Sequence, residues 1–243
     1  MDFQKAIEYL VNLGRSDVNS HIQHIYVGGS LVPFVSNKHD FSPLLMPMPE
    51  VLWMNTLTGL VDYIKANRDD LDLSKKMIHV ESPTRVHLCG PLSHATQQRP
   101  VFVSCRPLLP TLCFGEHIKA EQFNMQLQYG FVDTLGRREL LAFIGSIRQE
   151  SSVDTEDDGV TQVVTAKAGI ARVAEVPAPN PVYLRPYRTF PEIEQPESAF
   201  ILRMQPGPLC GLWEGDGGAW RNSAMYDIKA FFKAELPEIA ILA

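Results

Sequence analysis

The residues best placed by type and spacing to do chemistry are His21 with His24, the acidic run Asp154 to Asp158, and the turn Gly215-Asp216-Gly217-Gly218 with Arg221 beyond it. A histidine pair invites a metal. Zinc, however, takes three or four ligands, and HxxH in a strand-like run turns the two rings to opposite faces. No HExxH and no second Cys/His pair completes a set. The acidic run begins like a calcium loop of the type DxDxDG, which closes on a bidentate glutamate at its twelfth position. That position is Thr165, and the residues around it read as a strand where a calcium site needs a helix. The run therefore reads as a solvated acidic connector. No metal and no cofactor is expected.

A glycine turn before a helix can cradle an anion with its backbone N–H groups, and Arg221 would stand in the first helical turn. Gly215, Gly217, Gly218 and Arg221 make a candidate anion site on that basis. Asp216 puts a negative charge in the same place, where it repels an anion and can cap the helix instead. There is no GxxxxGK[ST] loop, no GxSxG elbow and no cysteine in a recognised catalytic setting. Carboxylates are plentiful, but their spacing does not define a catalytic pair. No catalytic residue emerges, and a non-catalytic protein is the expectation.

The elements that must position these groups can be read in outline. MDFQKAIEYLVNLGR has helical spacing, and HIQHIYVGGSLVPFVS reads as a hairpin about Gly28-Gly29. PLLMPMPEVLW is too rich in proline for a regular element. Leu57, Leu60, Val61 and Ile64 share a helical face, with Asn55 or Thr56 as its cap. KMIHVES, RVHLCGP and RPVFVSCRPL predict strands. AEQFNMQLQYGFV and RRELLAFIGSIR predict helices parted by a turn at Gly136. After the acidic run the period turns to two, in VTQVVTAKAG, ARVAEVP, VYLRPYRTF and SAFILRM. A last helix carries Trp220, Ala224, Ile228, Phe231 and Phe232 on its apolar side and stops before Pro237.

The expected fold is α+β. It mixes helices with mostly antiparallel strands, and its β-rich C-terminal half ends in a proline-rich extended arm and a C-terminal helix. The expected organisation is an α+β region over 1–148, an acidic loop over 149–158 and a β-rich region over 159–243, the two regions being free to share one core. The 243 residues suffice for a sizeable core, and 45% hydrophobic with 21% charged residues is ordinary for a globular protein. A net charge of −6 without a Lys/Arg cluster speaks against nucleic acid as the favoured partner. No apolar run approaches a membrane span, and the acidic, helical N-terminus does not read as a secretory signal. Cys89, Cys105, Cys113 and Cys210 lack CxxC spacing and read as reduced thiols of a cytosolic protein.

The arm, PNPVYLRPYRTFPEIEQPESAF, is the most unusual stretch. Pro179, Pro181, Pro186, Pro191 and Pro196 exclude a long central strand and leave room for short edge strands. Fully extended at ~3.3 Å per residue it reaches roughly 55–60 Å, about the width of a domain. It can wrap its own domain, clasp a neighbouring subunit or clamp a ligand. Tyr183, Tyr187, Arg188 and Phe190 are side chains of the kind that anchor interfaces, and Arg185, Glu192, Glu194 and Glu197 supply both charge signs. A clasp joining copies of the chain into a closed homo-oligomer is the expectation, with these eight residues at the interface.

The same arm, together with the downstream EGDGGAWR, resembles the YfdQ-like family of temperate phages and prophages, and TLTGLVDYIKANRDD and AEQFNMQLQYGFVD fit the family pattern. The resemblance spans most of residues 50–235. It implies a phage-encoded accessory protein acting in the bacterial cytoplasm. The expected partners are copies of the chain itself, on the ground of the arm, and a host or phage protein. It brings no catalytic residues. Two other readings are kept: a nucleic-acid accessory protein in phage recombination or replication, and an anti-defence protein that sequesters a nucleotide-like anion at the 215–221 turn.

Overall fold

The computed structural model describes residues 7–8, 11, 22–27, 30–37, 40–44, 49–93, 97–146, 155–157, 162–168, 172–205, 207 and 209–243. These divide into two compact units: one is formed by Met1–Val51 with Cys89–Phe102, the other by Leu52–Leu88 with Val103–Ala243. The division does not fall at the acidic run. Residues 52–88 and 103–146 share a unit with the C-terminal half, so the first expected region is split and most of it joins the second. The N-terminal helix expected over the first fifteen residues falls mostly outside the described residues.

In the first unit, β1 (Ile22–Val27), β2 (Ser30–Asn37) and β3 (Asp40–Pro43) form an antiparallel meander. β1 and β2 pair from Ile22 opposite Val35 to Val27 opposite Ser30, which is the expected hairpin.

The second unit starts with β4 (Leu52–Met54), a strand inside a stretch whose prolines predict irregular structure. Those prolines lie upstream of Leu52, which leaves the strand's own N–H groups free to pair with β7. Thr56, in extended conformation, then starts α1 (Leu57–Ala66) by accepting from the Gly59 N–H. Leu57, Leu60, Val61 and Ile64 are buried along one stripe, and Asn67 closes the helix in the left-handed region. Next come β5 (Met77–Ser82), β6 (Arg85–Cys89) and β7 (Val101–Cys105). A last strand, β15 (Ala240–Leu242), pairs parallel with β5, giving the sheet order β15-β5-β6-β7-β4. From sequence that tail reads only as a helix stop.

A second sheet has the order β12-β13-β14-β8 and is antiparallel throughout. Its strands are β8 (Ile118–Lys119), β12 (Val182–Leu184), β13 (Ser198–Gln205) and β14 (Leu209–Glu214). Alternation along β13 buries Ser198, Phe200, Leu202 and Met204. The last three join Phe123 and Leu127 of α2 (Ala120–Gly130) and Leu140 and Ile144 of α3 (Leu135–Ser146) in one core with Phe131, Val182, Leu184 and Leu212. Each such side chain is worth roughly 1.5–3 kcal/mol in burial. Gly136, expected in the turn before α3, lies inside its first turn, where a Cβ would overlap the Tyr183 carbonyl oxygen. That contact needs glycine and brings the helix against β12.

Among the remaining elements, β9 (Thr155–Asp157), β10 (Gln162–Ala168) and β11 (Arg172–Pro177) form an antiparallel sheet. Part of the acidic run is thus strand, paired through Glu156 opposite Val163. α4 (Trp220–Glu235) buries Ala224, Ile228 and Phe232 and packs on β5 and β15. The fold is α+β with mostly antiparallel strands and a C-terminal helix. No helix of the described residues is long and apolar enough to cross a membrane.

Candidate functional site

Between β12 and β13 the chain has no room for a strand, because Pro186, Pro191 and Pro196 cannot complete a ladder. It runs instead as a strap over its own unit. An antiparallel bridge joins Pro186 to Phe131. The Tyr187 N–H donates to the Gly130 carbonyl, and the Val132 N–H to the Arg185 carbonyl. The strap is thereby fastened to the segment that leaves α2.

The middle of the strap turns side chains inward. Phe190 and Thr189 are fully buried and Arg188 is 8% exposed. Thr189 Oγ1 donates to the Pro83 carbonyl at 2.6 Å, in the turn between β5 and β6. Glu192 Oε1 accepts from the backbone N–H groups of Leu57 at 2.7 Å and Thr58 at 3.4 Å. It thus satisfies donors that the first turn of α1 leaves open, next to the positive end of the helix dipole. Gln195 ties the strap to itself. Its Oε1 accepts from the N–H groups of Arg188 and Thr189, and its Nε2 donates to the Phe190 carbonyl.

Arg188 is the centre of the site. Its guanidinium lies 4.0 Å from the Trp220 ring centroid, donates to Glu214 Oε1 at 2.7 Å and donates to Ser198 Oγ. Ser198 Oγ in turn donates to Asp216 Oδ2 at 2.5 Å. Burial pushes the Arg188 guanidinium down to about 10, against the opposing pull of Glu214 and Asp216. The Nε of Arg188 and the Nε1 of Trp220 are buried without a partner among the described residues. The network joins the strap to β13, β14 and the first turn of α4, with the guanidinium fork reaching several acceptors at once.

The turn ahead of α4 is filled from within. Asp216 Oδ1 accepts from the Gly218 N–H at 3.0 Å. Burial pushes its carboxyl up, but the Ser198 hydroxyl and the Gly218 N–H outweigh that and hold it below the ordinary range. The Gly215 N–H donates to the Ala199 carbonyl at 2.8 Å. Gly217 and Gly218 adopt φ of 61° and 83°, a backbone that side chains resist. Arg221 is exposed, its guanidinium 5.1 Å from the Trp220 centroid and folded back over Gly218. The turn of the anion candidate therefore holds the protein's own carboxylate, which closes the turn on Gly218, while the residue that starts α4 is Ala219, without a side-chain cap.

The eight arm residues separate into two groups. Arg188 and Phe190 are buried in their own unit, Tyr187 is half-buried, and Glu192 caps α1. Arg185 pairs with Glu194 and Glu197, both exposed, on the outer side of the strap. Tyr183 stands 55% exposed on β12. Close by, a groove of about 260 Å³ is lined by Arg185, Glu194, Glu197, Ser223 and Asp227. Burial, with Glu194 adding to it, pushes the Asp227 carboxyl up.

Of the metal candidates, His24 lies on β1, while His21, Asp154 and Asp158 fall outside the described residues. No three His, Cys, Asp or Glu side chains among the described residues converge to hold a metal ion. The Cys105 and Cys210 thiols are pushed up to about 12 by burial, which removes them as thiolates near neutrality. Sequence reasoning missed Thr189, Gln195, Ser198, Glu214 and Asp216 as partners of the arm. For Thr189 and Gln195 the one signal is their place between prolines, where a polar side chain needs a bonded partner once buried; Ser198, Glu214 and Asp216 carry none.

The chain is thus an α+β protein whose proline-rich segment is tied into its own unit by buried hydrogen bonds. No family model, no curated protein and no solved structure matches it.

Proposed function

We propose that this protein acts by association, as a non-catalytic accessory protein that assembles with copies of itself. The observation that supports the reading is the exposure of two large side chains on segments whose backbones approach closely. Tyr183 is 55% exposed on β12, and Leu135, one residue before the glycine that abuts the Tyr183 carbonyl, is 72% exposed. Aromatic and large aliphatic side chains held on rigid elements are the kind that anchor interfaces. Glu194 and Glu197, exposed on the strap, would form a polar rim. The resemblance to the YfdQ-like family adds a phage or prophage origin and the bacterial cytoplasm to the proposal.

Deleting the strap cannot test this reading, because Phe190, Thr189 and Leu184 are fully buried and the fold would fail with them. The test is the mass of the purified protein by light scattering, for wild type and for Tyr183→Glu with Leu135→Glu. The expected result is a discrete assembly that dissociates in the double variant while its circular dichroism is unchanged. A wild-type monomer at micromolar concentration would overturn the reading.

A further inference from the structure

A groove of about 440 Å³ opens where two helices end together, at the C-termini of α1 and α4. Its floor is apolar, made by Ile64, Leu73, Leu236 and Ile239. Its volume and lining are those of a small-molecule site, which is mostly apolar with a few polar groups at the rim. The walls are stiff. Asn67 clamps the Leu71 backbone with both its amide atoms, and the Leu236 and Ile239 N–H groups close tight turns on Phe232 and Leu236.

Of the three charged side chains that line this groove, Lys65, Glu235 and Glu238, two are acidic. Helix C-termini carry about half a negative charge each, and here two of them converge. Lys65 and Glu235 pair at the rim at 2.7 Å and cancel. Glu238, also at the rim and exposed, forms no ion pair among the described residues. An apolar floor under a net negative rim is complementary to a molecule with an apolar body and a positive head. A carboxylate or phosphate would meet Glu238 and both helix ends.

We propose that this groove binds a small organic amine, with its hydrocarbon body on Ile64, Leu73 and Ile239 and its ammonium group at Glu238. The site is separate from the Tyr183 surface, so it stands or falls independently of the association reading.

The probes are hexylamine, hexanol and hexanoate, which share a chain and differ in the head group. Binding is tracked in the full chain by methyl NMR shifts of Ile64, Leu73 and Ile239, and by the rise in melting temperature that binding to the native state brings. The expected order is amine first, alcohol weaker and carboxylate weakest. Glu238→Gln should weaken the amine by roughly 1.4- to fivefold, the range of an exposed ion pair, and leave the alcohol unchanged. Ser74→Trp, placed at an exposed rim position, should fill the groove and abolish binding of the amine, whereas Ser74→Ala, which gives up the same hydrogen bond to Asp72, should bind it as the wild type does. Equal binding of amine and alcohol, no saturable shift at these methyls, or full amine affinity in Glu238→Gln would each overturn the proposal.

Discussion

The carboxylate of Glu192 accepts a hydrogen bond from the backbone N–H of Leu57 at 2.7 Å across 135 positions of sequence. The first turn of α1 is thus capped twice, locally by Thr56 and at long range by the strap. Capping interactions are worth about 1–2 kcal/mol. Glu192→Ala should lower the stability of the unit by that amount in urea unfolding. Glu192→Gln, which keeps an acceptor but loses the charge at the helix dipole, should cost less. Equal losses for the two would mean that the neutral acceptor contributes nothing without the charge.

Arg188 tests the other end of the strap. Arg188→Ala leaves Glu214, Ser198 and Asp216 without their shared cation; because Glu214 keeps contact with water, the loss should fall below the roughly 3–5 kcal/mol of a fully buried pair broken from one side. Arg188→Lys keeps the positive charge but gives up the fork and the stacking on Trp220. It should recover only part of the loss, as read from thermal unfolding. Full recovery by lysine would show that charge alone matters here.

Gly136→Ala should destabilise by about 1–3 kcal/mol, the cost of overpacking, because the new methyl would overlap the Tyr183 carbonyl oxygen. Gly145→Ala on the same helix is the control, since a Cβ there meets nothing within 4 Å and alanine favours the helix. Chemical denaturation of the two variants checks the pair.

The cysteines should differ in reactivity. Cys105 and Cys210 are fully buried with thiols pushed up to about 12, whereas Cys113 is half-buried. Alkylation of the native protein at neutral pH, read by mass spectrometry, should label Cys113 first and reach Cys105 and Cys210 only after unfolding.

At low pH, the Asp72 carboxyl is held down to about 2 by the Ser74 hydroxyl first and Lys75 second. A carboxylate with a lowered folded value favours the native state above its ordinary 3.8 and loses that contribution as pH falls towards about 2. An NMR titration should find the Asp72 midpoint below 3.8, and Ser74→Ala should move it upward. An unchanged midpoint in Ser74→Ala would remove the hydroxyl as the cause.

Local pattern was enough for much of the fold. The Thr56 cap and the stripe Leu57, Leu60, Val61 and Ile64 define α1 from nearest neighbours alone, and the alternation Ser198, Phe200, Leu202, Met204 defines β13. The Pro237 stop and the antiparallel character of the strands were legible for the same reason, since propensity and period act over a few residues. β15 was not legible. Three apolar residues become a strand only when β5 offers its edge, and β4 likewise depends on β7.

The candidate site shows the same boundary more sharply. Proline spacing alone predicts an extended segment with charged and aromatic side chains, whatever it lies against. Where each side chain goes depends on partners far away in sequence: Pro83 for Thr189, Leu57 for Glu192, Glu214 for Arg188. A buried polar group takes its role from whichever donor or acceptor the folded chain brings to it, and no local pattern encodes that meeting. Extension was written in the prolines; that the segment fastens its own unit was decided by tertiary contacts, because only there are the buried hydrogen bonds completed.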